Sequence, residues 1–264
     1  MFYGKIVAAA LGFLLLGPMG LLLGLLLGHW FDRGLQHSLG FGSPERVAQI
    51  QRAFFKTSFQ LLGLVAKADG RVSEQEIAQT EEIMRQLGLA EQQRQEAIAL
   101  FRQGTESGFS AASAVAEFNE ACGDHRQVRQ TLLAFLVSLA LADGHFHSAE
   151  LELLESIAAL LGYNSHEFSR LVQMMEAQSH FHGSGMGSAT ASDQLADAYR
   201  ALGVESANSD REVKQAYRRL MSENHPDKLI AQGVPEEAIK LGTERSQDIQ
   251  AAYELLKKER GMKR

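Results

Sequence analysis

The feature that most constrains the fold is an uncharged run of 22 residues from Ile6 to Leu27. A helix over this run would extend about 33 Å, enough to cross a hydrocarbon core of about 30 Å. A cleaved signal peptide would have a shorter apolar core, of about 7–15 residues, followed by a small-x-small cleavage site. The residues that follow here are Gly28-His29-Trp30-Phe31-Asp32-Arg33. We therefore predict a retained transmembrane helix over 6–31, a short N-terminal segment over 1–5 and a juxtamembrane segment over 32–44.

Three glycines in this run lie four residues apart, at Gly20, Gly24 and Gly28. On a helix they form one stripe of small residues, which lets a second helix approach closely. This spacing predicts dimerisation through the span. The alternative is that glycine is simply frequent in membrane helices.

The composition of the whole chain is that of a folded rather than a disordered protein. Hydrophobic residues make up 45% of the sequence and the net charge is −6, so a nucleic-acid-binding surface is not expected. Cys122 is the single cysteine. One thiol excludes a disulfide framework and any zinc ribbon built on paired cysteines.

Residues 45–176 contain an internal repeat. When the chain is shifted by 74 positions, nine residues are identical in the two copies. Each copy is predicted to be a helix, a tight Asp-Gly turn and a second helix that ends at a glycine, Gly88 or Gly162. The second copy begins with the apolar run Leu132 to Leu141, which is too short to span a membrane and is predicted to be the buried centre of a helical domain. The matched residues are Ala66, Ala68, Asp69, Gly70, Glu76, Glu81, Ile83, Leu87 and Gly88 in the first copy and Ala140, Ala142, Asp143, Gly144, Glu150, Glu155, Ile157, Leu161 and Gly162 in the second.

The paired Ala-Asp-Gly turns, each with a glutamate seven residues after the aspartate, resemble the TerB-like (tellurite-resistance) helical domain. That resemblance implies a helical bundle with carboxylates able to bind divalent metals, here Asp69, Glu76, Asp143 and Glu150. The alternative is that each aspartate braces its turn and each glutamate caps its helix. The further oxygen ligands of an EF-hand are missing, so we favour the structural roles and predict no metal site. A metal- or metalloid-stress sensor is the alternative function.

A segment rich in Gly, Ser and Ala, residues 177–191, is predicted to be a flexible linker. His180 and His182 fall in it. Two histidines could hold a metal ion, but a mobile pair without other ligands is more typical of a linker.

The last segment, 192–264, is predicted to contain three helices. The first runs from Asp193 to Leu202, with Gly203 placed to stop it. The second opens with a capping box, Ser209-Asp210-Arg211-Glu212, and runs to about Asn224. The third carries an apolar stripe that can pack antiparallel against the second, formed by Ile249, Ala252, Tyr253 and Leu256.

Val213, Tyr217 and Leu220 form an apolar stripe on the second helix, which presents cations on the opposite side. Arg211, Lys214 and Arg218 are spaced three and four residues apart, so they share one side of the helix. Directly after this helix comes His225-Pro226-Asp227-Lys228. A basic stripe alone would indicate only a solvated helix surface.

Four elements in order and at the right spacing resemble a J domain over about 192–260. Joined to the N-terminal span and the TerB-like middle, they give a chain that resembles the membrane-anchored DnaJ-like co-chaperones of Gram-negative bacteria. The implied fold is all-α. Asn224 stands where a tyrosine is frequent, and the loop Leu229 to Pro235 is longer than usual. The matching elements are Tyr199-x-x-Leu202-Gly203-Val204, Lys214-x-Ala216-Tyr217-Arg218-Arg219-Leu220, His225-Pro226-Asp227-Lys228 and Ala252-Tyr253-x-x-Leu256.

The resemblance implies a co-chaperone that stimulates ATP hydrolysis by a DnaK-type chaperone and carries no cofactor. Cations would steer it toward an acidic surface of the ATPase, while Pro226 stiffens the loop and Asp227 accepts a charge-assisted hydrogen bond from a partner arginine. No nucleophile is paired with His225 or Asp227, so we expect no catalysis by the chain itself. The residues predicted to bind the chaperone are Arg211, Lys214, Arg218, Arg219, His225, Pro226, Asp227 and Lys228.

An ATP-consuming partner places the C-terminal segment in the cytoplasm, and one span then places the N-terminus in the periplasm of a bacterial inner membrane. The charges that flank the span do not decide the orientation, since Lys5 lies before it and Arg33 after it. The sequence does not identify client proteins.

Overall fold

Helices make up all the regular secondary structure of the residues that the structure describes, as the sequence predicts. This computed structural model describes residues 44–68, 70, 84–85, 87–123, 125–141, 147–181 and 191–262. The predicted span, its glycine stripe and residues 182–190 of the predicted linker lie outside these ranges.

The first group of helices, which we call the bundle, covers most of the repeat. Its helices are α1 Pro44–Ala66, α2 Glu91–Gly104, α3 Ala111–Cys122, α4 Arg126–Ala140, α5 Ser148–Leu160 and α6 Ser165–Ser179. The second group, the C-terminal region, contains α7 Ala191–Ala201, α8 Asp210–Glu223, α9 Pro226–Ala231 and α10 Glu236–Glu259.

Helix α4 forms the centre of the bundle, as its apolar run predicts. Leu132, Leu133 and Leu136 are fully buried. The ring of Phe54 on α1 meets those of Phe118 and Phe135 edge-on, with centroids 6.1 and 5.7 Å away. Burial of each such side chain contributes about 1.5–3 kcal/mol relative to its exposure.

Two glycines let α1 and α2 cross with their backbones in contact. A Cβ atom added to Gly63 would overlap the carbonyl oxygen of Phe101, and one added to Gly104 would overlap that of Gln60. Each helix therefore contributes one glycine to the crossing and one backbone carbonyl that the partner glycine accommodates.

The two predicted glycine stops of the repeat are confirmed. Gly88 and Gly162 have φ values of +81° and +89°, in the left-handed region that glycine adopts without strain. The amide of Gly162 donates to Ala159 and that of Tyr163 donates to Ala158, a pattern that closes the last turn of α5.

In the C-terminal region, α8 and α10 form an antiparallel hairpin. Tyr217 and Tyr253 stack with centroids 4.0 Å apart and rings 10° from parallel. Gly203, with φ +63°, terminates α7 as predicted, and its amide donates to Arg200. The hairpin and α7 enclose a common core of Ala198, Ala201, Leu202, Val213, Leu220, Ile249, Ala252, Tyr253 and Leu256.

The last helix of the bundle packs directly on this core. Helix α6 continues to Ser179, three residues into the range predicted as linker. Ala177 belongs to the buried cluster of the C-terminal region, and Met174 and Phe181 pack against it. The described residues from Ala48 onward thus belong to one compact unit.

Candidate functional site: the basic helix and the His-Pro-Asp turn

The capping box predicted at the start of α8 sets where the basic helix begins. The backbone amide of Ser209 donates to a Glu212 carboxylate oxygen at 2.7 Å, and the amide of Glu212 donates to Ser209 Oγ at 3.4 Å. The hydrogen bond from the Ser209 hydroxyl holds the pKa of Glu212 below its usual value. Since an N-cap fixes helix register, it also fixes which side chains of α8 point outward.

Helix α8 buries one side and presents cations on the other. Val213, Ala216 and Leu220 are buried, whereas Arg211 and Arg218 are exposed and Lys214 is partly exposed. The structure thus brings three of the predicted cations to one solvent-facing surface. We call Arg211, Lys214 and Arg218 the basic stripe.

Arg219 belongs to the margin of this surface. It follows Arg218 by about 100° around the helix, and its Nε lies 4.0 Å from a carboxylate oxygen of Glu223. Arg219 and Glu223 also line a cleft of 290 Å³ together with Arg126 and Arg170 of the bundle. Of the four cations predicted on α8, Arg219 is therefore the one turned toward the bundle.

The turn after α8 is organised by its own sequence. His225 is the N-cap of the short helix α9: its Nδ1 accepts a hydrogen bond of 3.2 Å from the backbone amide of Asp227. With Nδ1 as the acceptor, the proton of the neutral ring lies on Nε2. Pro226 occupies the first helical position, where its fixed φ suits the helix and its missing N–H costs nothing.

This arrangement leaves the aspartate open to solvent. The side chain of Asp227 is 89% exposed and that of His225 is 57% exposed, and Lys228 is partly exposed. The distance from His225 Nδ1 to Asp227 Oδ2 is 3.9 Å. The carboxylate is thus held on a rigid turn with its oxygens free to accept hydrogen bonds from another molecule.

Asn224, the residue before His225, joins the turn to α8 and α10 through hydrogen bonds. It is buried, and its Nδ2 donates a hydrogen bond of 2.9 Å to the carbonyl oxygen of Leu220. The side-chain hydroxyl of Ser246 on α10 approaches the backbone oxygen of Asn224 at 3.4 Å. The side-chain amide of Asn224 thereby supplies a hydrogen-bond donor to a carbonyl group in the last turn of α8.

Arg260, which sequence reasoning did not single out, ties the hairpin together. Its Nε donates to Tyr199 Oη at 2.7 Å, and its two terminal nitrogens donate to the carbonyl oxygens of Asn208 at 2.8 Å and Ser206 at 2.6 Å. A further hydrogen bond of 2.9 Å reaches Asp210 at the start of α8. The hydrogen bond with Tyr199 raises the pKa of Arg260. No motif in the sequence indicates this residue, because two of its four acceptors are backbone oxygens and all four lie at least 50 residues away along the chain.

A buried polar contact between α6 of the bundle and the C-terminal region was likewise not predicted from the sequence. Gln178 is 2% exposed, and its Nε2 donates a hydrogen bond to the backbone oxygen of Ala201. Its Oε1 accepts a hydrogen bond of 3.4 Å from Arg245 Nε. Burial lowers the pKa of Arg245 to about 10, so this guanidinium remains charged at neutral pH. On the rim of the same interface, His180 Nδ1 lies 2.8 Å from a carboxylate oxygen of Asp197.

Other predicted residues fall elsewhere. Glu150 lies in the first turn of α5, where its carboxylate accepts a hydrogen bond of 3.1 Å from the amide of His147, the capping role that the sequence favours. Three further carboxylates, Asp69, Glu76 and Asp143, and the glycines Gly20, Gly24 and Gly28 lie outside the described residues. Within the described ranges, no three His, Cys, Asp or Glu side chains cluster as they would around a metal ion. None of the helices in those ranges is long and apolar enough to cross a membrane.

Three family comparisons divide the chain in the order that the sequence predicts. Residues 1–38 match the co-chaperone DjlA transmembrane domain. Residues 56–173 match the tellurite resistance protein TerB, and residues 197–263 match the DnaJ domain. No solved structure matches the chain significantly.

Curated relatives match over nearly the whole length. The co-chaperone protein DjlA of Photobacterium profundum is 39% identical over 276 residues, which cover 99% of this chain and 100% of the relative. DjlA of Coxiella burnetii is 37% identical over 265 residues, covering 98% of each chain. DjlA of Vibrio cholerae is 40% identical over 281 residues, covering 99% of each chain. The chain therefore belongs to the DjlA family of co-chaperones and joins a transmembrane segment, a TerB-like bundle and a J domain.

Proposed function

We propose that this J domain stimulates ATP hydrolysis by a DnaK-type chaperone at the cytoplasmic surface of the inner membrane. The observation that carries the proposal is the Asp227 carboxylate, which is 89% exposed on a turn fixed by Pro226 and by the His225 cap. A carboxylate presented in this way can accept a charge-assisted hydrogen bond from an arginine of the ATPase.

The basic stripe supplies the long-range part of the interaction. Arg211, Lys214 and Arg218 lie on the helix that leads directly into the turn. Their field would draw an acidic surface toward Asp227, and salt would screen it. A contact of this kind forms and dissociates quickly, as a co-chaperone that acts on many ATPase molecules requires.

The chain would act by differential binding rather than by bond chemistry. The J domain would bind one conformation of the ATPase more tightly than the other and thereby shift its population. ATP hydrolysis itself would occur on the partner, with no cofactor on this chain. The comparisons lend no support to the alternative of a sensor for metal or metalloid stress.

The full chain in lipid nanodiscs, added to a DnaK-type chaperone preloaded with ATP, tests the proposal in a single-turnover hydrolysis assay. We expect the wild type to accelerate hydrolysis and His225→Gln to abolish the acceleration, since glutamine lacks the Nδ1 acceptor that caps α9. The matched control is His166→Gln, the same change at an exposed histidine of the bundle. A wild-type chain that leaves the hydrolysis rate unchanged would reject the proposal.

The orientation that we propose, with the N-terminus periplasmic and the C-terminus cytoplasmic after a single span, has its own test. An epitope fused to the C-terminus should resist protease added to spheroplasts and be digested in inverted membrane vesicles. Digestion in spheroplasts would contradict this topology.

We also propose that Gly20, Gly24 and Gly28 mediate dimerisation through the span. Replacing Gly20 and Gly24 by isoleucine should weaken self-association in a membrane two-hybrid assay, because branched side chains would hold the helices apart. Leu22→Ile, on the opposite side of a helix over this segment, serves as the control. An unchanged signal in the glycine variant would reject dimerisation through these glycines.

A further inference from the structure

The segment that follows the His-Pro-Asp turn forms a helix with an exposed apolar side chain. Helix α9 runs from Pro226 to Ala231, so the residues directly after the turn are helical. Ile230 on this helix is 59% exposed, more than any other large hydrophobic side chain of the described residues. Helix α9 thus presents an exposed isoleucine beside the site already described.

The position of Ile230 is fixed by its neighbour. Leu229 is 2% exposed and packs where α10 carries a glycine: a Cβ atom added to Gly242 would lie 2.8 Å from Leu229 Cδ1. Ile230 cannot turn inward unless Leu229 leaves the core. Its exposure is therefore imposed by the packing of α9 and is not a property of a loose loop.

The end of α9 is fixed as well. Gly233, with φ +71°, closes the helix, and its amide donates to the carbonyl oxygen of Ile230 at 3.0 Å. The amide of Val234 donates to Leu229 at 3.0 Å, and Val234 is buried. Both ends of the segment that carries Ile230 are thus attached to the core of the J domain.

Ile230 and Asp227 are three residues apart on α9, so they lie on the same side of the helix about one turn apart. With Asp227 almost fully exposed, this side presents a carboxylate and a branched apolar group together. Whatever molecule binds the carboxylate also meets the isoleucine.

We infer that Ile230 is a second, apolar contact with the ATPase, beside the hydrogen bond that Asp227 makes. The inference rests on the proposed function and adds a residue that determines affinity. Because Ile230 lies on the same side of α9 as Asp227, we assign it to the molecule that binds Asp227. A membrane surface fits poorly, because it would bring the carboxylate against anionic headgroups. A symmetric contact of two copies centred on Ile230 would bring the two Asp227 carboxylates together.

The test is a titration of the full chain into single-turnover hydrolysis by the DnaK-type chaperone, in detergent micelles and in nanodiscs with anionic lipid. For Ile230→Ser we expect the concentration of half-maximal stimulation to rise about tenfold, with the maximal rate unchanged. The salt dependence of this half-maximal concentration should be the same as for the wild type, because salt does not screen an apolar contact. Ile230→Val, which keeps most of the apolar surface, should restore most of the affinity.

Leu160→Ser is the matched control, since Leu160 is 42% exposed on α5 of the bundle and its change should leave the titration unaltered. A titration of Ile230→Ser that coincides with the wild type, or an equal defect in Leu160→Ser, would overturn the inference while His225→Gln still reported on the proposed function. A defect seen only in nanodiscs would assign Ile230 to the membrane and also overturn it. Lack of stimulation by the wild type would reject the proposed function itself, and the inference with it.

Discussion

Gln178, in the last turn of α6, donates a hydrogen bond of 2.8 Å to the backbone oxygen of Ala201, the last residue of α7. The glutamine is 2% exposed, so the bond lies inside the contact between the bundle and the J domain. Because α6 also contributes Ala177 to the J-domain core, the bundle holds the J domain by packing as well as through the chain connection.

We expect Gln178→Ala to lower the free energy of unfolding of the full chain by about 1–3 kcal/mol, since it removes a hydrogen bond and leaves buried polar groups without a partner. Gln173→Ala, at an exposed position of the same helix, should change it by less than about 0.5 kcal/mol. Urea denaturation followed by circular dichroism measures both. Equal values for the two variants would contradict a structural role of Gln178.

The cations of α8 should contribute unequally to chaperone binding. Arg218 lies in the exposed basic stripe, whereas Arg219 is at its margin, 4.0 Å from Glu223. We expect Arg218→Ala to reduce ATPase stimulation at low salt several-fold and to flatten its salt dependence. Arg219→Ala should have a smaller effect on both. Titrations of each variant at low and high salt provide the measurement, and a larger effect of Arg219→Ala would place the contact on the side of α8 nearer the bundle.

The crossing of α1 and α2 provides a sharp test of the bundle. A methyl group at Gly63 would overlap the carbonyl oxygen of Phe101, and neither backbone can move without displacing its helix. We expect Gly63→Ala to lower the free energy of unfolding by about 3 kcal/mol or more. At Gly108 a Cβ atom meets nothing within 4 Å, so Gly108→Ala should be well tolerated. Thermal unfolding of both variants decides the point, and equal midpoints would contradict the close crossing.

Local sequence patterns predicted the elements that are governed by local rules. Ser209 with Glu212 marks the start of α8, and Gly203 and Gly162 mark helix ends, because caps and left-handed glycines depend on residues only a few positions away. The exposed Asp227 is expected from the resemblance to a J domain, and the turn of His225 and Pro226 presents it to solvent.

What the sequence did not predict depends on contacts between distant segments. Gln178 has no signal of its own, since its partner Ala201 is a backbone oxygen 23 residues further along the chain. The glycine contacts of Gly63 and Gly104 need the crossing of α1 and α2, which periodicity does not specify. The sequence predicts a loop from Leu229, where α9 in fact continues to Ala231, because the six residues of this helix are too few to show a helical period.

Arg260, at the end of α10, joins that helix to the stretch of chain that runs from α7 to the start of α8. It donates to Tyr199 beside the end of α7, to the backbone oxygens of Ser206 and Asn208, and to Asp210 at the start of α8. We expect Arg260→Ala to lower the free energy of unfolding by about 2 kcal/mol, since the charge-assisted bonds are lost together. Arg260→Lys should recover less than half of this loss, because an ammonium group cannot reproduce the planar set of donors. Lys258→Ala, at an exposed position of the same turn of α10, is the control, and urea denaturation measures all three. Full recovery by lysine would show that charge alone, rather than the geometry of the guanidinium, holds these segments together.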